Sequence, residues 1–275
     1  MSLFFFTENK GKLLEFQDFL GQTVMGLQDL QSLAQSHLTH IPVENADYFI
    51  PNAFVKALCA LFFVRSNFPP DFISRIVVDD SGLCLPDLGF LPGVHSATYA
   101  GIPKNDENNR KKLAFEIKKS PNSYLVGKEK RLKAFFVCFL IELQLNQTLK
   151  VFDTVFASHF YEGRFFQTQD IVSIEKTFLN NINLEDDGGH FSQCVSLSMF
   201  HPQFSKNLKL NIYYGFCCGE VAEQEQNLIL GAGHGYDSLF FPKGCADQSF
   251  ASMTMREKNK LSHRGFATAA FRASL

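Results

Sequence analysis

Ser2-Leu3-Phe4-Phe5-Phe6-Thr7-Glu8-Asn9-Lys10-Gly11-Lys12, followed by Leu13, Leu14, Phe16, Phe19 and Leu20, contains three regimes in succession. Residues 2–6 are a short apolar run, the composition of a buried strand. Residues 7–11 are a polar break. From Lys12 the apolar residues recur at the spacing of one helix face, and Gly21 suits the stop at its end. The chain therefore opens strand–loop–helix, with the loop at a helix N-terminus. Free backbone N–H groups and the positive end of the helix dipole gather there, where an anion can be held.

The alternation continues outward from this stretch. Residues 53–63 are apolar nearly all round apart from Lys56, which predicts a buried helix with Pro51 in its first turn. Arg75-Ile76-Val77-Val78 predicts a strand that ends in Asp79-Asp80-Ser81-Gly82. Residues 108–119 read as a charged helix and 134–143 as a strongly apolar strand. Residues 212–216 and 220–221 read as the two arms of a hairpin, and 231–235 as a glycine-rich loop. Residues 250–260 lead into Ser262-His263-Arg264-Gly265 and a final helix. Strands alternating with helices, without internal repeats, predict an α/β fold, and 275 residues suggest one large domain or two lobes.

Composition narrows the function classes. At 275 residues and 45% hydrophobic, the chain can bury a sizeable core. Thirty-one Phe and no Trp make that core aromatic-rich. A net charge of −2 lacks the basic footprint of a nucleic-acid-binding face, so no nucleic-acid partner is expected. The seven Cys form no C-x-x-C pair, which argues against structural zinc, and their odd number without framework spacing fits a reducing compartment. The apolar start is too short for a signal peptide and has no basic leader. No run approaches the roughly 18 apolar residues of a membrane span. A cytoplasmic protein without a membrane partner is the expectation.

Four polar clusters could carry chemistry. Thr7, Asn9, Lys10 and Lys12 stand between strand and helix, where two ammonium groups and a helix end suit a polyphosphate. The ordinary alternative is a solvated loop that caps a helix. Asp79-Asp80 sits at the expected carboxyl end of a strand, where open α/β sheets bind ligands. Adjacent carboxylates there repel unless a cation or donors offset them, and magnesium is the natural hard cation. The alternative is an acidic turn, for which D-S-G is good chemistry. Glu44 with Lys56 carries no signal alone, because a Lys on an apolar helix usually snorkels. Lys258 with Ser262-His263-Arg264 is either a solvated basic face or a seat for a base or phosphate. His190 and His201 lack metal-ligand spacing and read as ordinary residues.

In order and spacing these clusters resemble the inosine triphosphate pyrophosphatase family, the house-cleaning nucleotide hydrolases. The family's T-G-N-x-G-K loop corresponds to Thr7 through Lys12, and its E-N-A-x-x-K-A helix to Pro51-Asn52-Ala53-Phe54-Val55-Lys56-Ala57, with Glu44 at the position of the upstream metal-binding Glu. D-D-S-G-L is present from Asp79 to Leu83. P-G-x-x-S-A-R-Y-A-G reads Pro92-Gly93-Val94-His95-Ser96-Ala97-Thr98-Tyr99-Ala100-Gly101, with Asn108-Asn109 after it. Gly215 and Gly219-Glu220-Val221 resemble the G-x-x-x-G-x-I hairpin, and Gly233-His234-Gly235-Tyr236-Asp237-Ser238 the G-F-G-Y-D-P loop. Met253-Thr254-Met255-Arg256-Glu257-Lys258 and Ser262 to Gly265 match the terminal M-T-x-E-E-K…S-H-R-G motif. The likeness covers about residues 1–145 and 212–272, and 150–211 has no counterpart in the short family members. That insertion is too apolar for a disordered linker. It either extends the sheet or adds a flap, and it either reaches the cleft or dimer contact or lies away from the site.

The resemblance implies an elongated two-lobed α/β body with a long central mixed sheet, a nucleotide cleft between the lobes, and a homodimer. It implies hydrolysis of inosine, deoxyinosine and xanthosine triphosphates to monophosphate and pyrophosphate with Mg2+. Glu44 and Asp80 would hold the metal. Asp80, supported by Asp79, would help activate water. Lys12, Lys56, Thr7, Asn9 and Lys10 would contact phosphates, and Ser81 the substrate. His234, Gly235, Tyr236, Asp237, Lys258, His263 and Arg264 would frame the base. Four positions depart from the pattern: Glu8 for Gly, Thr98 for Arg, His234 for Phe and Ser238 for Pro. They leave the nucleobase preference open, and with it a second reading, a nucleotide-binding protein that has lost catalysis and acts through its insertion.

Overall fold

The computed structural model describes residues 3–38, 42–69, 71–145, 166–200, 209–224, 235–245 and 247–275. Its centre is a mixed sheet of eight strands. β1 (Leu3–Phe6) pairs in parallel with β2 (Arg75–Leu85). The crossover between them holds α1 (Lys10–Leu20), α2 (Leu27–Ala34) and α3 (Phe49–Asn67). A two-residue strand β3 (Leu91–Pro92), helix α4 (Asp106–Lys119) and β4 (Tyr124–Val126) lead to β5 (Glu129–Gln144). Next come α5 (Gln169–Asn180), β6 (Gly188–Ser196), β7 (Lys209–Ala222) and β8 (Phe240–Pro242). Helices α6 (Met255–Leu261) and α7 (His263–Arg272) close the chain. The main order is β1-β2-β5-β7-β6, with β3, β4 and β8 paired to β2, β5 and β7.

Period-two alternation in the strands separates two apolar faces. Phe4, Ile76, Val78, Phe139, Ile141 and Ile212 pack under α3. Leu3, Phe5, Val77, Cys138 and Leu140 pack under α1 and α7 through Phe16 and Phe271. The sheet is thus covered by helices on both sides, as the α/β reading requires. α3 is buried nearly all round, apart from Lys56 and a few positions near its end. It is also long and apolar enough to span a membrane by length and composition, which corrects the expectation that no run approaches a span. Most of it is buried inside the fold.

Two strand expectations are corrected. β2 does not end at Asp79-Asp80 but runs on to Leu85, because β5 pairs with it from Arg75↔Gln144 to Cys84↔Phe135. The strand that ends here is β1: its last pair is Phe6↔Val78, so the β2 edge beyond Val78 is left free of β1. Residues 212–221 form no hairpin; they lie within the single strand β7, paired with β5 from Arg131↔Ala222 to Glu142↔Asn211. Its glycines serve close approach, not turning. A Cβ at Gly215 would lie 2.3 Å from the backbone N of Ala267 and the backbone O of His263, and one at Gly219 would lie 2.2 Å from the backbone O of Phe241.

The described part of segment 150–211 extends the sheet, β6 pairing with β7 from Gly188↔Cys217 to Ser196↔Lys209. It also packs on α3: Phe54 stacks on Phe200 at 4.0 Å and meets Phe166 edge-on at 5.1 Å. Burying each such ring stabilises the fold by about 1.5–3 kcal/mol.

Candidate active site

The same alternation sends Asp79 and Asp80 to opposite faces of β2, each toward its own cations. Asp80 faces α3. The Lys56 ammonium lies 3.2 Å from Asp80 Oδ1, 2.7 Å from Glu44 Oε2 and 2.9 Å from the Asp79 carbonyl, to which it donates. Burial alone would push the Lys56 pKa down, but Asp80 and Glu44 outweigh it and hold the ammonium above the ordinary lysine value. Burial pushes the Asp80 carboxyl up to about 6, with Glu44 adding to the rise and Lys56 pulling against it. Its Oδ1 also accepts from the Ser81 N–H at 3.2 Å, while its Oδ2 is buried with no hydrogen-bond partner.

Asp79 faces α1 and α7. Its Oδ2 lies 2.7 Å from Lys12 Nζ and 3.7 Å from Arg264 Nε. Burial would raise this carboxyl, but Lys12 and Arg264 outweigh burial and hold it well below the usual carboxylate range. Ser81 points the same way and accepts from Lys12 Nζ at 3.4 Å and from Arg264 Nη2 at 3.3 Å. Arg264 also pairs with Glu15, and Lys258 Nζ lies 3.4 Å from Glu15 Oε1.

A cavity of about 220 Å³ opens beside this second cluster, lined among others by Lys12, Ser81, Phe136, Tyr236, Lys258 and His263. Lys258 is oriented by Asp237 at 2.7 Å, and the Tyr236 hydroxyl donates to the Ser96 carbonyl at 2.9 Å. Gly235 is clamped by the first turns of α4: its N–H donates to Asp106 at 3.1 Å and its carbonyl accepts from Arg110 at 3.0 Å. His263 stacks on Phe136, ring centroids 4.8 Å apart. Burial, with Arg264 and Lys258 nearby, keeps its pKa well below 6.5, so the imidazole is neutral, with one donor and one acceptor nitrogen. Its Nδ1 is buried without a partner.

Most of the residues singled out in the sequence therefore converge. Asn9 caps α1, its Oδ1 accepting from the Lys12 N–H at 3.2 Å, and it lines the cavity. Thr7 accepts from the Asn9 N–H at 3.2 Å, but Thr7 and exposed Lys10 stand outside the cavity lining. So does Glu8, which is exposed. His234 and His201 lie outside the described residues. His190 sits on the edge strand β6, 6.4 Å from the Phe266 ring.

Sequence reasoning missed Glu15, Asp106, Arg110 and the floor residue Phe136. Glu15 had a signal: it lies one turn after Lys12, on the same helix face. Phe136 had none, being one apolar residue in an apolar strand.

The donor set admits a hard divalent cation. A buried, unpartnered carboxylate oxygen on Asp80 lies near Glu44, both oxygen ligands of the kind Mg2+ takes. Among the described residues no group of three or more His, Cys, Asp or Glu side chains could hold a metal. Two carboxylates with remaining positions left to water and substrate is the usual magnesium arrangement.

A mixed α/β sheet whose strand β2 sets Asp79 against Lys12 and Arg264 on one face and Asp80 against Lys56 on the other is the frame of this site. The Ham1 family model matches residues 3–167 and 156–274, and the chain belongs to the Ham1 family. It is similar to the dITP/XTP pyrophosphatase of Acinetobacter baylyi, 29% identical over 271 residues, covering 98% of this chain and 91% of that one. The dITP/XTP pyrophosphatase of Haemophilus influenzae is 28% identical, covering 98% and 96%. Its fold is shared with a HAM1 protein from Coxiella burnetii (TM-score 0.61, 19% identity, covering 100% of this chain and 98% of that one) and with the Staphylococcus aureus Ham1 protein (TM-score 0.59, 19% identity, covering 99% and 97%). The resemblance read from the sequence is thereby borne out.

Proposed function

We propose that this protein hydrolyses purine nucleoside triphosphates of the inosine and xanthosine type to the monophosphate and pyrophosphate, with Mg2+ held by Glu44 and Asp80. The observation that carries the reading is the Lys56–Asp80–Glu44 cluster with its unpartnered Asp80 oxygen, set back to back on β2 with Lys12, Ser81 and Arg264. The names of the curated relatives support it.

The chain's own residues divide the work. Lys12 borders the cavity and offsets phosphate charge, while Lys56 keeps the two carboxylates together. Asp80, with its raised pKa, can accept a proton from the attacking water as the new O–P bond forms at the α-phosphorus and pyrophosphate leaves. Bound magnesium would supply further charge neutralisation and acidify water. At the other end, Lys258, Arg264 and neutral His263 offer donors to a 6-oxo purine, whereas the 6-amino group of adenine is itself a donor.

Pyrophosphate release from inosine, xanthosine, guanosine and adenosine triphosphates with Mg2+ tests this. Inosine and xanthosine substrates should turn over fastest, and Asp80→Asn should lower kcat by about 100-fold or more. Equal turnover of all four would remove the base preference. Nucleotide binding without release from any would leave a binding protein.

A further inference from the structure

We propose that Glu175, on α5, is a positioning residue for the Glu44–Lys56–Asp80 cluster, acting as an imported cap on α3. What the cluster does rests on the pyrophosphatase reading; how it is held does not.

The first N–H groups of any helix lack partners within it. α3 begins after Tyr48, which supplies no side-chain cap, and its first turn carries no acidic residue. The missing acceptors come from a segment more than a hundred residues away. Glu175 Oε1 accepts from the Phe49 N–H at 2.9 Å and its Oε2 from the Ile50 N–H at 2.8 Å. Gln167 Oε1 accepts from the Asp47 N–H at 3.0 Å. Asn52 completes the entry locally, its side chain bonding both the N–H and the carbonyl of Ala46 at 3.0 and 3.2 Å.

Glu175 is only 1% exposed. Burial pushes the Glu175 carboxyl up to about 8, with the Ile50 and Phe49 N–H groups pulling against the rise; a buried carboxyl is costly unless its oxygens are used, and here both are, at the positive end of a helix. A Ser or Asp at position 48 would cap α3 more simply. The imported cap does something a local one would not: it ties the helix to α5. Lys56 lies two turns beyond Phe49 on the same helix face. Glu44 lies just before the tied backbone of residues 46–50. The acceptors on α5 and its approach thus hold the short stretch that sets the spacing between Glu44 and Lys56, and catalytic constellations tolerate only about 0.5 Å of slack. Through Glu175 the segment 150–211 reaches the site, although among its described residues none contributes a side chain to the cluster.

The test uses the full chain as Glu175→Gln, which keeps one acceptor and turns the other into a donor facing a donor, and as Glu175→Asp. Glu185→Gln, in the exposed turn before β6, is the control. Pyrophosphate release from inosine triphosphate is followed against Mg2+ concentration. Amide hydrogen exchange over residues 44–56 is followed without nucleotide.

Glu175→Gln should raise the half-activating Mg2+ concentration and lower kcat, each about tenfold, as loss of an outer partner does at metal sites. KM at saturating Mg2+ should stay within about twofold, because the cavity is untouched. Exchange should quicken over 44–56, Glu175→Asp should recover part of each effect, and Glu185→Gln should match wild type. Wild-type Mg2+ dependence and kcat in Glu175→Gln, even with a lower Tm, would overturn the proposal by showing a cap that only stabilises. If the wild type releases no pyrophosphate, the pyrophosphatase reading fails, and exchange alone decides: unchanged rates over 44–56 in Glu175→Gln overturn the positioning role and faster ones support it. Should Glu175→Gln not fold, Gln167→Ala, which removes only the Asp47 acceptor, is read by the same measurements.

Discussion

Asp79 and Asp80 are neighbours in sequence and strangers in space. As a pair at a strand end they would repel, and a cation would be needed to reconcile them. Mid-strand, they part to opposite faces, and each is answered by lysine or arginine: Asp79 by Lys12 and Arg264, Asp80 by Lys56. The difference lies in what is left over. Asp79 is held charged, whereas burial raises the Asp80 pKa and leaves one oxygen unpartnered. That imbalance is what the proposed mechanism uses in assigning the proton transfer to Asp80, since functional carboxylates tend to be those whose environment shifts them toward the working pH.

His263 makes a residue-scale prediction about stability. Burial keeps its folded pKa well below 6.5. The unfolded chain therefore takes up a proton that the folded chain refuses as pH falls below about 6.5, and stability is lost there by up to about 1.4 kcal/mol per pH unit. Asp80 and Glu175, both raised by burial, act in the opposite sense over part of the same range. The His263 share is thus a difference: in urea denaturation between pH 6.5 and 5, wild type should lose more stability than His263→Gln. Parallel curves would show that the imidazole is not held neutral.

At the scale of elements, β7 shows what local patterns conceal. Gly215 and Gly219 look like turn residues, because a glycine's commonest local meaning is a turn. Their actual role is set by partners remote in sequence: α7 lies against one and β8 against the other. Gly215→Ala would drive a methyl to 2.3 Å from the α7 backbone at His263 and Ala267. It should cost roughly 1–3 kcal/mol in chemical denaturation. Unchanged stability would mean that α7 does not rest on β7 as closely as described. The strand–loop–helix opening was legible for the converse reason, since its signals are local: a short apolar run, a polar break, then a 3.6-residue period. α3 was legible too, through its unbroken apolar character, but its cap was not, because Glu175 is an ordinary surface-type residue until α5 is placed.

At the scale of the whole molecule, the site depends on where β1 stops. β1 pairs with β2 only as far as Val78, and the chain then turns into α1, so Lys12 arrives beside Asp79 and Ser81. α7, from the far end of the chain, brings Arg264 and His263 to the same place. Stretches separated by most of the sequence thus border one polar cavity and one carboxylate cluster. Individually they carried little signal; their order and spacing as a set identified the family, which is why the site was more legible by pattern than by any residue's own chemistry. Segment 150–211 was the least legible: its apolar content excluded a linker, but only the pairing of β6 and the stacking of Phe166 and Phe200 on Phe54 show that it is built into the core.

The central claim concerns which phosphoanhydride bond is broken. Incubating the protein with inosine triphosphate and Mg2+ and resolving the products by chromatography tests it directly. Inosine monophosphate and pyrophosphate should appear together in equal amounts, with no diphosphate intermediate. Inosine diphosphate with inorganic phosphate, or no products at all, would contradict it.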